Sequence, residues 1–410
     1  MSGSVLLLSN KVYNQEASEI AAKISDMTRT RYAKWLVSIK YVLDQSDVDS
    51  ALSRQSEFCD TVILNEKERV MENQRLLLEC ESSKVQERRK AAEERQRIYE
   101  KVVGDISKHA VELLIDNLSD REAFRLFGRF PDFSYFLSTA YSPSVTYSKL
   151  DVLAVNDHLL KNNLIDLCRN PKFCDRIGKT VKSFTDTKMA IGLLGIENCR
   201  LLLPILMVKP LLRWDEPTTK LIAPKLWQHM ILTANVTKLR LTDSGVKSPE
   251  QGIALGIIRT IGQFAIVNNF PLIFEDALVE RMQFYREENR REEYYACAEI
   301  KPTMEVLPEA LLSLDKVLTR KVIEFIDWCP NNIHLRNALL EDLDDVPILE
   351  RSPYGAALAQ GQAYSIFDSL ERSHVFVEKH KPIWFANVQM PPDALKQIHN
   401  SHPGRIDLES

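Results

Sequence analysis

Apolar residues recur at helical spacing along almost the whole of this chain. Ile20, Ile24, Met27, Tyr32, Leu36, Ile39 and Leu43 lie mostly three to five apart and predict a helix over Glu16–Leu43. Gln45-Ser46-Asp47 then offers a turn and a cap. From Val48 to Val103 nothing breaks the chain until Gly104. The apolar positions there include Leu52, Cys59, Ile63, Val70, Leu77, Ala92, Tyr99 and Val103, with steps mostly of seven. That period suits a long helix in an imperfect coiled coil. Ile106–Leu118 reads as a further amphipathic helix, and the aromatic stretch Arg129–Ser142 as a strap between domains.

The most apolar stretch is Leu226–Asn269. It predicts two buried helices joined by a polar turn. The first carries Trp227, His229, Ile231, Leu232, Ala234, Val236 and Leu239. The second opens at Ser248-Pro249-Glu250, a cap followed by a proline, and continues as GIALGIIRTIGQFAIV. Near the end, Ser352 caps a helix over Pro353–Ser373, in which Gly361 marks a close approach to a neighbour. A short helix over Asp393–Asn400 fits between the tail prolines, and the last residues are expected to fray. The elements read along the chain are helices, so the expected fold is all-α. The expected organisation is an N-terminal, coiled-coil-like helical region at 1–130, a helical domain at 131–350, and a C-terminal helix and tail at 351–410.

Composition narrows the function classes. The 410 residues are 45% hydrophobic and 27% charged, which is ordinary for a globular protein. A net charge of -4 gives no general attraction to nucleic acid or to an anionic membrane. Acids and bases alternate through Glu66–Lys101 in a way that allows i,i+4 pairing, so this stretch reads as a solvated helix face. The opening MSGSVLLLSNK has no basic stretch before its short apolar run, so no signal peptide is expected. No unbroken run approaches the ~20 apolar residues of a membrane span, and no membrane insertion is expected. The 7 cysteines form no C-x-x-C pair, which favours free thiols and a cytoplasmic location.

Several segments, taken in order, resemble the HDOD family, a branch of the HD superfamily found in bacterial signalling proteins. Leu150–Asp157 and Leu159–Asn170 are similar to the pair of helices that open such a domain. Met189, Ala190, Ile191, Leu194, Gly195 and Ile196 resemble its next helical segment, and Trp328 with Pro330 its later helix-W-x-x-P-helix element. The resemblance covers roughly 146–340. Within it, Trp227 and His229 match a W-x-H segment, and GIIRTIG stands where HD enzymes carry a segment like GLLHDIG. In those enzymes the histidines and the His-Asp pair hold a divalent metal that activates water for phosphohydrolysis. Here the His-Asp pair is replaced by Arg259-Thr260. Arginine stays cationic and cannot ligate a metal, and His229 alone falls short of the three protein ligands of a catalytic zinc site.

The resemblance therefore implies a non-catalytic regulatory protein, with no metal and no cofactor, acting through protein partners in a signalling pathway. His229, Arg259 and Thr260 are the candidate ligand-binding residues of a degenerate HD pocket. The alternative is a divergent metal-dependent HD-type phosphohydrolase. His229 is otherwise a hydrogen-bonded core histidine. Arg259 lies in an otherwise apolar helix, and it either pairs with an acid such as Asp368, snorkels to the surface, or meets an anionic ligand such as a nucleotide phosphate. No P-loop, dinucleotide-binding or nucleophile-elbow motif occurs. Homodimerisation through the N-terminal helices is expected, because an apolar stripe needs a facing surface.

Overall fold

The computed structural model describes residues 6–43, 79–117, 126–180, 186–300, 306–406 and 408, with side chains of the long helix described from residue 86. Among these residues there are fifteen α-helices and no strand. In chain order they are α1 (Gln15–Val37), α2 (Glu79–Asp116), α3 (Phe133–Ala140), α4 (Tyr147–Asn156) and α5 (His158–Arg169). There follow α6 (Pro171–Arg176), α7 (Thr187–Val208), α8 (Ala223–Asp243), α9 (Gln251–Glu287) and α10 (Arg291–Glu299). The last five are α11 (Leu307–Glu324), α12 (Ile333–Leu343), α13 (Pro353–Arg372), α14 (Lys381–Asn387) and α15 (Pro392–Asn400). Contacts divide the chain into two units, one of residues 1–37, 117–269 and 307–410, the other of 38–116 and 270–306. This division does not follow the expected boundaries at 130 and 350. The turn expected at Gln45–Asp47 and the start of the coiled-coil helix, up to residue 78, lie outside the described residues.

The first unit is built on backbone contact between α8 and two other helices. A Cβ on Gly256 would stand 2.5 Å from the Ala234 Cα, and one on Gly252 would stand 2.7 Å from the Lys238 nitrogen. These glycines are four apart, as are Ala234 and Lys238, so each pair forms one helix row and α9 lies directly on the α8 backbone. A different row of α8 meets α13. There a Cβ on Gly361 would stand 2.4 Å from Thr237 Oγ1 and 2.7 Å from the Thr233 oxygen, the close approach that the mid-helix glycine implied. His229 meets Ser365, Thr237 meets Gly361 and Arg240 meets Gln360, so α8 and α13 run antiparallel. Ser352 caps α13 as expected, accepting from Gly355 N at 3.2 Å. Every residue from Gly355 to Leu370 is buried. The expected C-terminal extension is thus a central helix, surrounded because its small residues admit neighbours on all sides.

The N-terminal segment also belongs to this unit. Tyr32, Ala33, Trp35, Leu36 and Val37 of α1 are buried. Lys225 Nζ donates to the Trp35 carbonyl at 2.7 Å and lies 4.6 Å from the Trp35 ring centroid. The indole Nε1 of Trp35 donates to Ser373 Oγ at 2.8 Å. Ahead of α1, the carbonyls of Leu6 and Leu7 accept from the fully buried Arg240 at 2.7 and 3.0 Å. At the other end, Asn235 Nδ2 donates to the carbonyls of Pro403 and Arg405, each at 2.8 Å, so the described tail is tied down where fraying was expected.

Elsewhere in the unit, α7 is kinked at Gly195, whose φ of 79° lies in the left-handed region that glycine adopts without strain. Two helical stretches are long and apolar enough to cross a membrane, Thr187–Leu211 and Gln251–Glu287. However, 67% and 89% of their apolar windows are buried inside the protein. Neither is an unbroken apolar run in the sequence, because isolated polar residues such as Asn198 and Arg259 interrupt each one.

In the second unit α2 runs through Gly104 without a break, in place of the two helices expected around that residue. A single helical glycine costs only about 1 kcal/mol, and packing supplies more than that. Val102, Ile106, Ala110 and Leu114 are fully buried at i,i+4 spacing. Their cover comes from residues 270–306: Tyr285 Oη donates to Asp105 Oδ2 at 2.7 Å, and His109 Nε2 lies 2.5 Å from Glu280 Oε2. Gln86–Arg97, by contrast, is exposed throughout.

Leu36 is 1% exposed, and truncating a core leucine typically costs roughly 2–5 kcal/mol. Leu36→Ala is expected to lower stability by that amount in chemical denaturation. A change within about 0.5 kcal/mol, the range of a surface substitution, would place α1 outside the core.

Candidate functional site

The candidate residues are brought together by the helix rows already described. Arg259 and Gly262 lie on one face of α9. A Cβ on Gly262 would stand 2.9 Å from Thr319 Oγ1 and 3.0 Å from Thr319 N, so α11 comes close enough for Arg259 to reach across. Asp315 and Thr319 are four apart on α11 and point the same way. Arg259 Nη1 donates to Asp315 Oδ2 at 2.8 Å, and its Nε donates to Asp342 Oδ2 of α12 at 2.6 Å. Asp342 accepts in addition from Arg351 Nη1 at 2.9 Å and from Gln362 Nε2 of α13 at 3.0 Å. One buried network therefore ties α9, α11, α12, α13 and the segment before α13.

The electrostatics follow from this geometry. Arg259 is only 2% exposed. Burial alone would lower its pKa, but the charges of Asp315 and Asp342 outweigh that effect and hold it above its ordinary value. Burial would raise the pKa of Asp342, and the charges of Arg259 and Arg351 instead hold the carboxyl well below the usual range. Two carboxylates thus already satisfy the Arg259 charge. The acid expected for it, Asp368, pairs with Arg372 at 2.9 Å. The anion pocket expected at Arg259 is not supported by this geometry, because the guanidinium is committed to internal acids.

His229 and Thr260 are likewise engaged within the fold. Ser365 Oγ donates to the His229 carbonyl at 3.0 Å and lies 2.8 Å from His229 Nδ1. A hydroxyl has one proton to give, so Nδ1 carries the hydrogen of the Ser365–His229 contact and Nε2 is the acceptor nitrogen. Burial, and after it the Arg259 charge, push the His229 pKa down to about 3, so the ring is neutral. The Tyr32 ring from α1 lies against it with centroids 5.0 Å apart. Thr260 Oγ1 donates back to its own helix, with the Ile257 and Gly256 carbonyls at 2.9 and 3.1 Å. Trp227 packs edge-on against Trp214 at 5.5 Å, away from this cluster.

His229, Arg259, Asp315, Asp342 and Tyr32 all line a cavity of about 680 Å³. Thr260 does not line it. Sequence reasoning missed Asp315, Asp342, Arg351 and Gln362. The only local signal of the two aspartates is a carboxylate in an otherwise amphipathic helix, and their shared partner Arg259 is 56 or more residues away. Among the described residues, no three His, Cys, Asp or Glu side chains are grouped as metal ligands would be.

Comparison with known families places an HDOD domain at residues 137–299, so the chain carries an HDOD domain and is related to the HD superfamily. No curated protein and no solved structure matches the chain.

Arg259→Met keeps the apolar length of the side chain and strands two carboxylates. Breaking a buried ion pair from one side costs about 3–5 kcal/mol, and that loss of stability is expected at neutral pH. An unchanged unfolding midpoint would count against the network.

His229 makes a separate prediction. Its ordinary pKa of 6.5 applies to the unfolded chain, and its folded value is about 3. The unfolded state therefore takes up a proton that the native state excludes. Stability is complete above pH 6.5 and declines as pH falls from there toward the folded value. Asp342 adds its own loss only below its ordinary value of 3.8, and in the interval between the two values His334 and Glu293, whose folded pKa values are also lowered, add shares that a change at His229 leaves in place. Denaturation curves over that interval should show His229 lowering stability by up to ~1.4 kcal/mol per pH unit. His229→Gln should remove that share of the slope, and an identical slope in both proteins would contradict the assignment.

Proposed function

We propose that this chain, built on an HDOD domain, is a non-catalytic regulatory module that acts through protein contacts in a signalling pathway. The observation that carries the reading is the identity and engagement of Arg259. In the HD enzymes that the GIIRTIG segment resembles, a His-Asp pair at this point holds the metal that activates water. Here a guanidinium occupies the position and is itself neutralised by Asp315 and Asp342. A cation fixed at that point repels a divalent ion, and the neighbouring carboxylates are already committed to arginines.

Two features support the protein-contact part of the reading. Gln86–Arg97 of α2 is exposed on every side and densely charged, which suits a docking element for a partner or for a second copy of the chain. The side chains of the described cysteines are unpaired, and Cys168, Cys174, Cys199 and Cys297 are buried, which suits a reducing cytoplasm.

The test is metal content and hydrolysis measured on the full chain, followed by capture from host cells. The expected result is substoichiometric iron, manganese and zinc by elemental analysis, and no hydrolysis of bis(p-nitrophenyl) phosphate with manganese added. A protein partner should be retained by the wild type and lost when Arg88, Arg89 and Lys90 are replaced by alanine. About one metal per chain together with turnover would favour the phosphohydrolase reading.

A further inference from the structure

One face of α1 stays in solvent although it carries large apolar side chains. The helix buries Ile24, Thr28, Tyr32 and Leu36 within the first unit. Ile20 and Met27 turn away from that core and are 45% and 59% exposed. Tyr13, two residues ahead of the helix, is 41% exposed. The three are seven apart, the spacing of residues along one seam of a two-helix coiled coil. Tyr13 and Ile20 also line a groove of about 940 Å³, whose other walls include Val12, Leu349 and Ile383. Val12 and Leu349 are exposed as well. Apolar side chains gathered in one exposed patch mark a contact surface.

The charges beside the stripe indicate what covers it. Glu16, Glu19 and Lys23 are all exposed. At 100° per residue they fall on one flank of the line through Ile20 and Met27. Among the described residues, Glu16 and Lys23 enter no ion pair, and Glu19 accepts only a hydrogen bond from Gln15. A second α1 laid antiparallel, with the two-fold axis at Ile20, matches this surface to itself. Tyr13 then meets the partner's Met27, and Ile20 meets the partner's Ile20. Lys23 comes opposite the partner's Ala17, with the partner's Glu16 and the partner's Glu19 beside that alanine on the same flank. A parallel pair would instead set Lys23 against the partner's Lys23 and Glu16 against the partner's Glu16, and like charges in contact oppose association.

We propose that the outward face of α1 is a homodimer interface, with two copies of the chain packed antiparallel about Ile20. The surface is self-complementary, as the two-fold contact of a symmetric dimer requires. The partner's Met27 would lie against Tyr13 at the groove, where an unbranched thioether adapts to an irregular space. Exposed ion pairs contribute little energy, so apolar contact supplies the affinity and the charges choose the orientation. The inference goes beyond the non-catalytic reading and stands on different residues.

Light scattering on the full chain over a concentration series tests it. The wild type should have twice the mass of one chain at micromolar concentration. Ile20→Glu sets two carboxylates against each other on the axis and should leave a monomer. Lys23→Glu alone, and Glu16→Lys together with Glu19→Lys, should each weaken the dimer by at least about tenfold, because the facing flanks then carry like charge. All three reversals in one chain exchange the two signs and should restore the dimer. The altered side chains are exposed, so each variant should keep the wild-type helix content by circular dichroism, which separates loss of the interface from loss of the fold.

A monomeric wild type overturns the proposal. So does a dimer that Ile20→Glu leaves intact, or a set of reversals in which the triple variant is folded but stays as weak as the others. A monomer whose melting temperature rises with dodecanoate would give the groove to a small apolar ligand, and one that retains a different host protein would give the face to another partner; either result overturns it too. Manganese-dependent hydrolysis in the same samples would sink the non-catalytic reading and leave the measured masses as they are, so the two failures are distinguishable.

Discussion

A guanidinium cannot be taken out of water without opposite charge beside it, and Arg259 imposes that constraint on the first unit. The idealised cost of moving such an ion into a low-dielectric interior is on the order of 20 kcal/mol. Two carboxylates therefore have to be delivered to one point, from α11 and α12. Asp342 in turn has to be satisfied by Arg351 and Gln362. These helices and α9 cannot slide past one another without unpairing a charge. Such a network adds little net stability compared with an apolar core, but it is strongly specific about arrangement. It also fixes the electrostatics of the site, since the cation at its centre is held by two internal acids.

Close backbone contact makes the network possible. Gly252 and Gly256 let α9 rest on α8, Gly262 lets α11 approach α9, and Gly361 lets α13 approach α8. The side chains that define the site come from both ends of the chain and from its middle. Tyr32 belongs to α1, His229 to α8, and Ser365 to α13. The stretch ahead of α1 is held in the same way, with Arg240 and Gln360 donating to the backbone of Leu6 and Leu7. A site assembled from such distant parts responds to changes in any of them.

Much of this was legible in the sequence, and the misses have physical reasons. Helical periodicity identified an all-α chain, the Ser352 cap located α13, and Gly361 announced a close approach, because each of these is a local rule. The arginine at position 259 of an otherwise apolar helix was visible as well, and so was its need for an acid. The identity of that acid was not visible. Asp368 was offered as one such acid, whereas the pairing is made by Asp315 and Asp342 on helices whose amphipathic pattern shows that they pack but not against what. The same limit hid the place of α1, whose stripe required cover without naming α11, α13 and α14. Gly104 was read as a break because propensity disfavours it in a helix, and the buried stripe from Val102 to Leu114 overrides that preference.

The central claim is that Arg259 and Asp342 form one energetic unit at the centre of the first unit. A double-mutant cycle measures this directly, with Arg259→Met, Asp342→Leu and the two combined, unfolded in urea at neutral pH. The account predicts strong coupling, on the order of 2–3 kcal/mol, with the double variant far more stable than the sum of the single losses implies. Losses that add to within about 0.5 kcal/mol would show that the two residues do not act as a pair, and would contradict the account.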